Sequence, residues 1–403
     1  MQSLPKRIAK TTKAYLAVRL NMWKFARHCD HRFRQDARYD LQYVTRGFLS
    51  RPNDSDNDSE LLERICAAYI RSIQQEQFGQ EAYKPTETWL QARQRSLKPF
   101  IQALLARDLA SLGNMLQNFY RDPCSSGLLA APNGMSRAYF SGAIRDVYRR
   151  FYLGHVLYRF DYWMAQTNGR FRLRDLGGPG IGNPFGLLIE GTHISVGAEY
   201  SHYCAHRIAC LLDGGKATIA EIGGGFGGMA YYLLRDRPSV KYLDFDVPER
   251  IALASYYLLK AFPRRKFILF GEERLTTEAL SRASGALMPT FALADAPSGS
   301  VDITFSSHSL SNLPAETIAE YINQIDHMTR GRFFLIGNQH VCDSISDLIE
   351  RGGAPFELKE TRPSGWHSYK ISGAGVGGSA GLAASAAFEH CYLRAENSKE
   401  MAV

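Results

Sequence analysis

One stretch restricts the fold of this chain more than any other: Ala220-Glu221-Ile222-Gly223-Gly224-Gly225-Phe226-Gly227-Gly228-Met229. Apolar residues lead into glycines and a helical pattern follows, which reads as a buried strand, a tight turn and a helix. The next strand, at 241–246, ends in a carboxylate, and Val247-Pro248-Glu249 opens a helix there with proline in its first turn. Such a unit suits an adenosine-containing ligand. Glycines let the backbone come close, a helix N-terminus faces the ligand, and an acid takes the ribose hydroxyls.

The glycines alone leave the ligand open, because Gly223, Gly225 and Gly228 also satisfy the dinucleotide spacing G-x-G-x-x-G. Glu221 discriminates. At the strand end it would repel a pyrophosphate, whereas the sulfonium and ammonium of S-adenosylmethionine gain from a carboxylate, directly or through water. Asp246 is the candidate for the ribose hydroxyls, with Asp244, two residues earlier on the same face, as its competitor. An NAD-dependent oxidoreductase is the enzyme alternative that Glu221 disfavours, and a binding or assembly protein on a degenerate fold is the non-enzymatic one.

Around this unit the chain divides in two. Up to about residue 180 the pattern is helical, with segments at 60–77, 86–107 and 136–166 and a polar loop at 53–59 that caps the first. In the last segment, aromatics from Tyr148 to Trp163 alternate with Arg145, Arg149, Arg150 and Arg159, and aromatics at helical spacing are read as core. The run Gly177-Gly178-Pro179-Gly180-Ile181-Gly182-Asn183-Pro184 marks a boundary. A helix at 196–212 leads into strands expected at 217–222, 241–246, 266–270, 301–306, 332–337, 356–361 and 386–393, with helices at 227–235, 248–262, 315–328 and 343–351. This alternation implies an α/β, Rossmann-like, mostly parallel sheet covered on both faces, its seven strands ending in a hairpin. The glycine and alanine stretch 373–381 reads as a flexible connection. Residues 1–180 are thus expected to act as a lid or acceptor-recognition region over a ligand-binding domain at 181–403.

Composition narrows the setting. Seven scattered cysteines without a C-x-x-C pair fit reduced thiols, and no run is apolar enough to span a bilayer, so a cytoplasmic protein is expected. A net charge of +8 suits anionic partners but forms no concentrated stripe, and no nucleic-acid motif is visible. The first 29 residues are basic with interleaved apolar residues, which fits a weak contact with an anionic membrane surface. An oligomer is compatible with all of this.

Glu221 to Gly228 resembles motif I of the class I S-adenosylmethionine-dependent methyltransferases. Together with Asp246-Val247-Pro248-Glu249, Gly182-Asn183-Pro184 and the run from Asp302 to Leu313, it more narrowly resembles the bacterial sugar O-methyltransferase family. The resemblance runs from Gly182 to the C-terminus. It implies O-methylation of a hydroxyl on a sugar, glycosylated or small-molecule acceptor, with S-adenosylhomocysteine as product. The cofactor contacts it implies are Glu221, Gly223, Gly224, Gly225, Phe226, Gly227, Asp244, Asp246, Val247 and Ser306. The chain departs from the family at Asn312-Leu313, where the family has Glu-Met.

An O-methyl transfer needs the hydroxyl aligned and its proton removed. His308 is the candidate base, because it follows a strand at the carboxyl edge of the sheet, where ligands bind in open α/β folds. His193, His202, His340 and His367 compete. His308, His340 and Asp343 lack the spacing of a strong metal site, so no metal is expected. Phe226, Trp366 and Tyr369 are candidate aromatic walls, and Glu272 and Asp295 are candidates for the adenine amino group.

Overall fold

A computed structural model describes residues 44–51, 58–128, 146–212, 214–311, 313–367 and 387–395, together with Leu16, Leu20 and Trp23. Most of the basic N-terminal segment, most of the polar loop 53–59, the start of the helix expected at 136, Asn312, Tyr369 and the stretch 373–381 lie outside the described residues.

Strands β3 (Thr218–Ile222), β4 (Lys241–Asp246), β5 (Phe267–Leu269), β6 (Gly285–Pro289), β7 (Val301–Ser307), β8 (Thr329–Asn338), β9 (Phe356–Ser364) and β10 (Ala387–Arg394) form one sheet in the order β5-β6-β4-β3-β7-β8-β10-β9. Neighbours from β5 to β8 pair in parallel, and β10 slots between β8 and β9, antiparallel to both. This is the Rossmann-like α/β architecture with a late hairpin that the sequence predicts, enlarged to eight strands. The additional strand is β6, Gly-Ala-Leu-Met-Pro, fully buried between β4 and β5. It has no β-branched or aromatic residue, so its sequence carries little strand signal.

Side chains alternate across the sheet. Ile219, Tyr242, Ile303, Phe305 and Phe334 belong to one core, while Ala220, Leu243, Phe245, Phe333 and Leu335 belong to the other. The first face is covered by α6 (Ala198–Cys210), α7 (Gly228–Asp236) and α8 (Pro248–Ala261). The second lies under α9 (Thr277–Arg282), α10 (Ala315–Met328) and α11 (Gln339–Gly352).

The N-terminal helices are α1 (Ser59–Glu76), α2 (Glu87–Gln94), α3 (Lys98–Ala106), α4 (Leu109–Gln117) and α5 (Asp146–Gln166). The segment expected as one helix at 86–107 is split at Arg95–Leu97. Thr86 caps α2 and Pro99 sits in the first turn of α3. Phe160 and Trp163 of α5 are fully buried, as the core reading of its aromatics requires. A hairpin not foreseen from the sequence, β1 (Gly186–Ile189) and β2 (Thr192–Ser195), follows the glycine-rich boundary. Its two turn residues, Glu190 and Gly191, both adopt positive φ, which keeps the strand twist continuous through so short a loop.

One hydrophobic core runs without interruption from α1, α3, α4 and α5 through α6, α7 and α8 to the sheet, so apolar packing is continuous across residue 180. Polar bonds reinforce it. The buried Glu249 of α8 accepts from Tyr69 (3.0 Å) and Trp89 (3.1 Å) and pairs with Arg93 at 2.8 Å, tying α1 and α2 to the sheet layer. No helix among the described residues is long and apolar enough to cross a membrane.

Candidate active site

At the carboxyl ends of β3, β4 and β7 lies a cavity of about 1250 Å³. Its floor is the glycine turn. Gly223 has φ 84°, and a Cβ there would lie 2.2 Å from Cβ of Ser309, so only glycine fits between the turn and the loop after β7. Gly223, Gly224, Gly225 and Phe226 line the cavity. Phe226 is held by rings of Phe119, Tyr120 and Tyr257, with centroids 5.2–5.5 Å apart. Gly227 is not on the wall. It is the N-cap residue just before α7, and a Cβ there would meet Leu258 at 2.9 Å, so it serves helix packing.

Three carboxyl groups stand together under the turn, on the sheet face covered by α6, α7 and α8. Glu221 and Asp244 are register partners on adjacent strands, and Asp246 follows on the same face. Glu221 lines the cavity, is 4 % exposed and accepts a hydrogen bond from the Tyr242 hydroxyl at 2.5 Å. Burial pushes its carboxyl up to about 7, with the Tyr242 bond opposing and the charge of Asp246 adding. Asp246 and Val247 also line the cavity. One Asp246 oxygen accepts from the Gly225 N–H (2.9 Å) and the other from the Val247 N–H (2.7 Å), which fixes the carboxylate and leaves a lone pair on each oxygen for ligand hydroxyls. Burial raises Asp246 to about 6 against those N–H bonds and the nearby Arg250.

Asp244 lies behind the turn rather than on the wall. It is fully buried, accepts from the Gly224 N–H at 3.2 Å, and is raised well above the carboxylate range by burial, then by Asp246 and Glu221. Of the two candidates for ribose, only Asp246 reaches the cavity. Ser306 does not reach it either. It is buried and hydrogen-bonded to Ser309 (2.7 Å), and Ser307 and Ser309 take the wall positions.

His308 lines the cavity, at the end of β7. Its backbone is left-handed at φ 60°, held by its N–H donating to the Ile336 carbonyl at 2.8 Å. The Ser311 N–H in turn donates to the His308 carbonyl at 3.1 Å, which closes the turn after the strand. Burial lowers the imidazole from its usual range, so the ring is neutral near pH 7 and able to take a proton. The competing histidines lie elsewhere. His193 donates to the Gly47 carbonyl (3.0 Å), His202 is buried and accepts from Trp163 (3.3 Å), and neither they nor His340 and His367 line the cavity. Among the described residues no cluster of three His, Cys, Asp or Glu could hold a metal ion.

Several wall residues escaped the sequence reading. Tyr83, Thr86 and Trp89 of the N-terminal region, Thr290, Tyr321 and Tyr200 all line the cavity, and Tyr200 bonds Ser307 at 2.6 Å. Tyr83 stacks on Tyr321, with centroids 5.6 Å apart, and donates to Glu320 at 3.0 Å. No local pattern marks these positions. Arg159 also lines the cavity and did leave a signal, because it occupies the apolar stripe of Val156, Phe160 and Trp163, where a charge needs a reason.

Other candidates fall away from the site. Trp366 is buried among Tyr162, Tyr200 and Tyr203 and is absent from the wall. Glu272 is bound by Arg64 (2.9 Å) and the Leu269 N–H (2.9 Å), and Asp295 also lies off the wall. Where Asn312-Leu313 departs from Glu-Met, Leu313 lines the cavity and Glu316, at the start of α10, brings a carboxylate to it.

No protein-family model matches the chain, and no curated protein matches it. Among solved structures it is similar in part to the pyocyanin biosynthetic protein PhzM, at 16 % identity and TM-score 0.32, covering 49 % of this chain and 56 % of that one. It is also similar in part to magnesium protoporphyrin IX methyltransferase (ChlM) from Synechocystis PCC 6803, at 15 % identity and TM-score 0.32, covering 49 % and 83 %. A third is a TehB-like S-adenosylmethionine-dependent methyltransferase from Corynebacterium glutamicum, at 15 % identity and TM-score 0.32, covering 48 % and 87 %. The matched part of this chain thus spans just over half the length of PhzM.

Proposed function

We propose that this chain is an S-adenosylmethionine-dependent O-methyltransferase acting on a hydroxyl of a sugar or sugar-like acceptor. The observation that carries this reading is that Glu221, Asp246 and His308 line one cavity at the carboxyl edge of the sheet. The cradle fits the cofactor on chemical grounds: the turn at Gly223 leaves no room for side chains, and a buried carboxyl at Glu221 favours a cationic ligand over a pyrophosphate. Glu221 would hold the cationic methionine portion, Asp246 the ribose hydroxyls, and Phe226 and Val247 the apolar sides of the site.

When bound, S-adenosylmethionine supplies an electrophilic methyl group on its sulfonium. The chain's own task is to orient the acceptor hydroxyl and remove its proton. The neutral ring of His308 takes that proton. Ser307, Ser309, Ser311 and Tyr200 present hydroxyls along the same wall, and Trp89 and Tyr83 present aromatic surface, which together suit a ligand with several hydroxyls and an apolar ring face. The helical region before residue 180 serves as lid and acceptor wall through its segment from Glu81 to Trp89.

Calorimetric titration of the full chain with S-adenosylhomocysteine and with NAD tests the cofactor. Preference for the former supports the reading, and tighter NAD binding overturns it. A panel of sugars and glycosides, with S-adenosylhomocysteine release as readout, then tests the acceptor class; turnover only on non-sugar hydroxyls would overturn the sugar assignment.

A further inference from the structure

We infer that Arg159 of α5 binds the α-carboxylate of the amino-acid tail of S-adenosylmethionine, opposite Glu221; the inference rests on the cofactor assignment above. That tail is a zwitterion. Glu221 offers its ammonium a carboxylate, and the tail's own carboxylate then needs a cation on the same wall.

The cavity is lined by three lysine or arginine side chains among the described residues, and two are committed elsewhere. Lys84 is half exposed at the rim and paired with Glu81 at 2.6 Å. Arg250 lies on the Asp246 side, where its terminal nitrogens donate to the carbonyls of Cys124 and Ser126 and its guanidinium packs 4.8 Å from the Trp89 ring centroid. Arg159 is different. It is 5 % exposed, its Nε donates to Glu199, and its guanidinium sits 5.4 Å from the Trp366 ring centroid. Its hydrogen bonding to described residues goes through Nε alone, so the two terminal amino groups of the fork are left to serve a ligand. A buried guanidinium with donors to spare is costly unless something in the cavity accepts them. Two parallel N–H groups match a carboxylate.

Its position agrees. Arg159 and the glycine turn line one cavity together with Tyr200, Ser201 and Cys204 of α6, the helix whose Glu199 holds Arg159. Ser201 abuts the start of α7, where a Cβ on Gly228 would meet its Oγ at 2.9 Å. Glu221, Arg159 and Cys204 all line this one cavity. Glu199 compensates the buried guanidinium and fixes the direction of its fork.

The test compares S-adenosylhomocysteine with 5′-methylthioadenosine, which lacks the amino-acid tail, by calorimetry on the full chain. In Arg159→Met, affinity for S-adenosylhomocysteine is expected to fall roughly 10-fold to 100-fold while that for methylthioadenosine stays within about twofold. In Arg159→Lys, which keeps the pair with Glu199 but removes the fork, a smaller loss is expected for S-adenosylhomocysteine alone. If Arg159→Met fails to fold by circular dichroism, Arg159→Lys carries the same comparison. Equal losses for both ligands, or an unchanged affinity for S-adenosylhomocysteine, overturn the inference. Failure of the unaltered chain to bind either adenosine ligand instead overturns the cofactor assignment on which it rests.

Discussion

At the scale of single residues, the site is governed by where carboxyl groups are buried. Asp246 and Asp244 are two residues apart on one strand, yet only Asp246 touches the cavity. Asp246→Ala is expected to weaken S-adenosylhomocysteine binding by about 1.5–3 kcal/mol, the range for hydrogen bonds to a charged group. Asp244→Ala is expected to lower the melting temperature and leave most of that affinity, and calorimetry on both variants separates the two roles. Glu221 adds a pH dependence. Its folded value of about 7 lies above the ordinary 4.5, so the neutral form prevails in the ligand-free protein below about pH 7. A cationic ligand favours the ionised form, so affinity is expected to fall as pH drops below about 7, by at most about tenfold per pH unit for this one group. Stability runs the other way: the native state binds the extra proton between the two values, so this contribution is present in acid and is lost as pH rises through about 7. Glu221→Gln is expected to flatten the affinity profile between about pH 6 and pH 8 and to raise the melting temperature at the upper end. His308→Ala is expected to retain cofactor affinity and lose turnover about 100-fold; full activity would reject its role as base.

At the scale of elements, the joint between α8 and the N-terminal helices decides whether the cavity has a second wall. Glu249 follows Pro248 in the first turn of α8, and it gathers Tyr69 from α1 with Trp89 and Arg93 from α2. Arg93 also holds Glu76 of α1 at 2.6 Å, so one carboxylate of α8 and one of α1 share a guanidinium. Removing the buried member of such a network strands its donors. Glu249→Ala is expected to cost about 3 kcal/mol in denaturant unfolding. It should also loosen Trp89 from the cavity, read as increased quenching of tryptophan fluorescence. The sequence marks Pro248-Glu249 as a helix start but gives no hint that Glu249 points to α1 and α2, since its partners are more than 150 positions away.

At the scale of the whole molecule, the helical region and the sheet region share one core. Tyr203, Leu233, Tyr256 and Tyr257 belong to the same buried cluster as residues from α1, α3, α4 and α5, and a fragment starting at residue 181 would leave that cluster incomplete. Such a fragment is expected to aggregate or to lack a cooperative thermal transition, whereas the full chain shows one; a cooperatively folding fragment would show that the sheet region stands alone. The parallel sheet, its late hairpin, the glycine turn and the carboxylates at 221 and 246 were all readable in the sequence. Each is encoded by neighbours in the chain, through apolar periodicity, turn chemistry and helix starts. Strand β6, the hairpin β1–β2 and the break between α2 and α3 were not, because short or weakly patterned segments take their form from the surface they pack on. Sequence alone therefore determined the class of fold and the end of the sheet at which the cavity lies. The tertiary structure decided which of two aspartates on one strand faces the cavity, which histidine lies in it, and that Arg159 and Trp89 come from the helical region to complete its wall. Those outcomes depend on contacts between residues far apart in the chain, which only packing brings together.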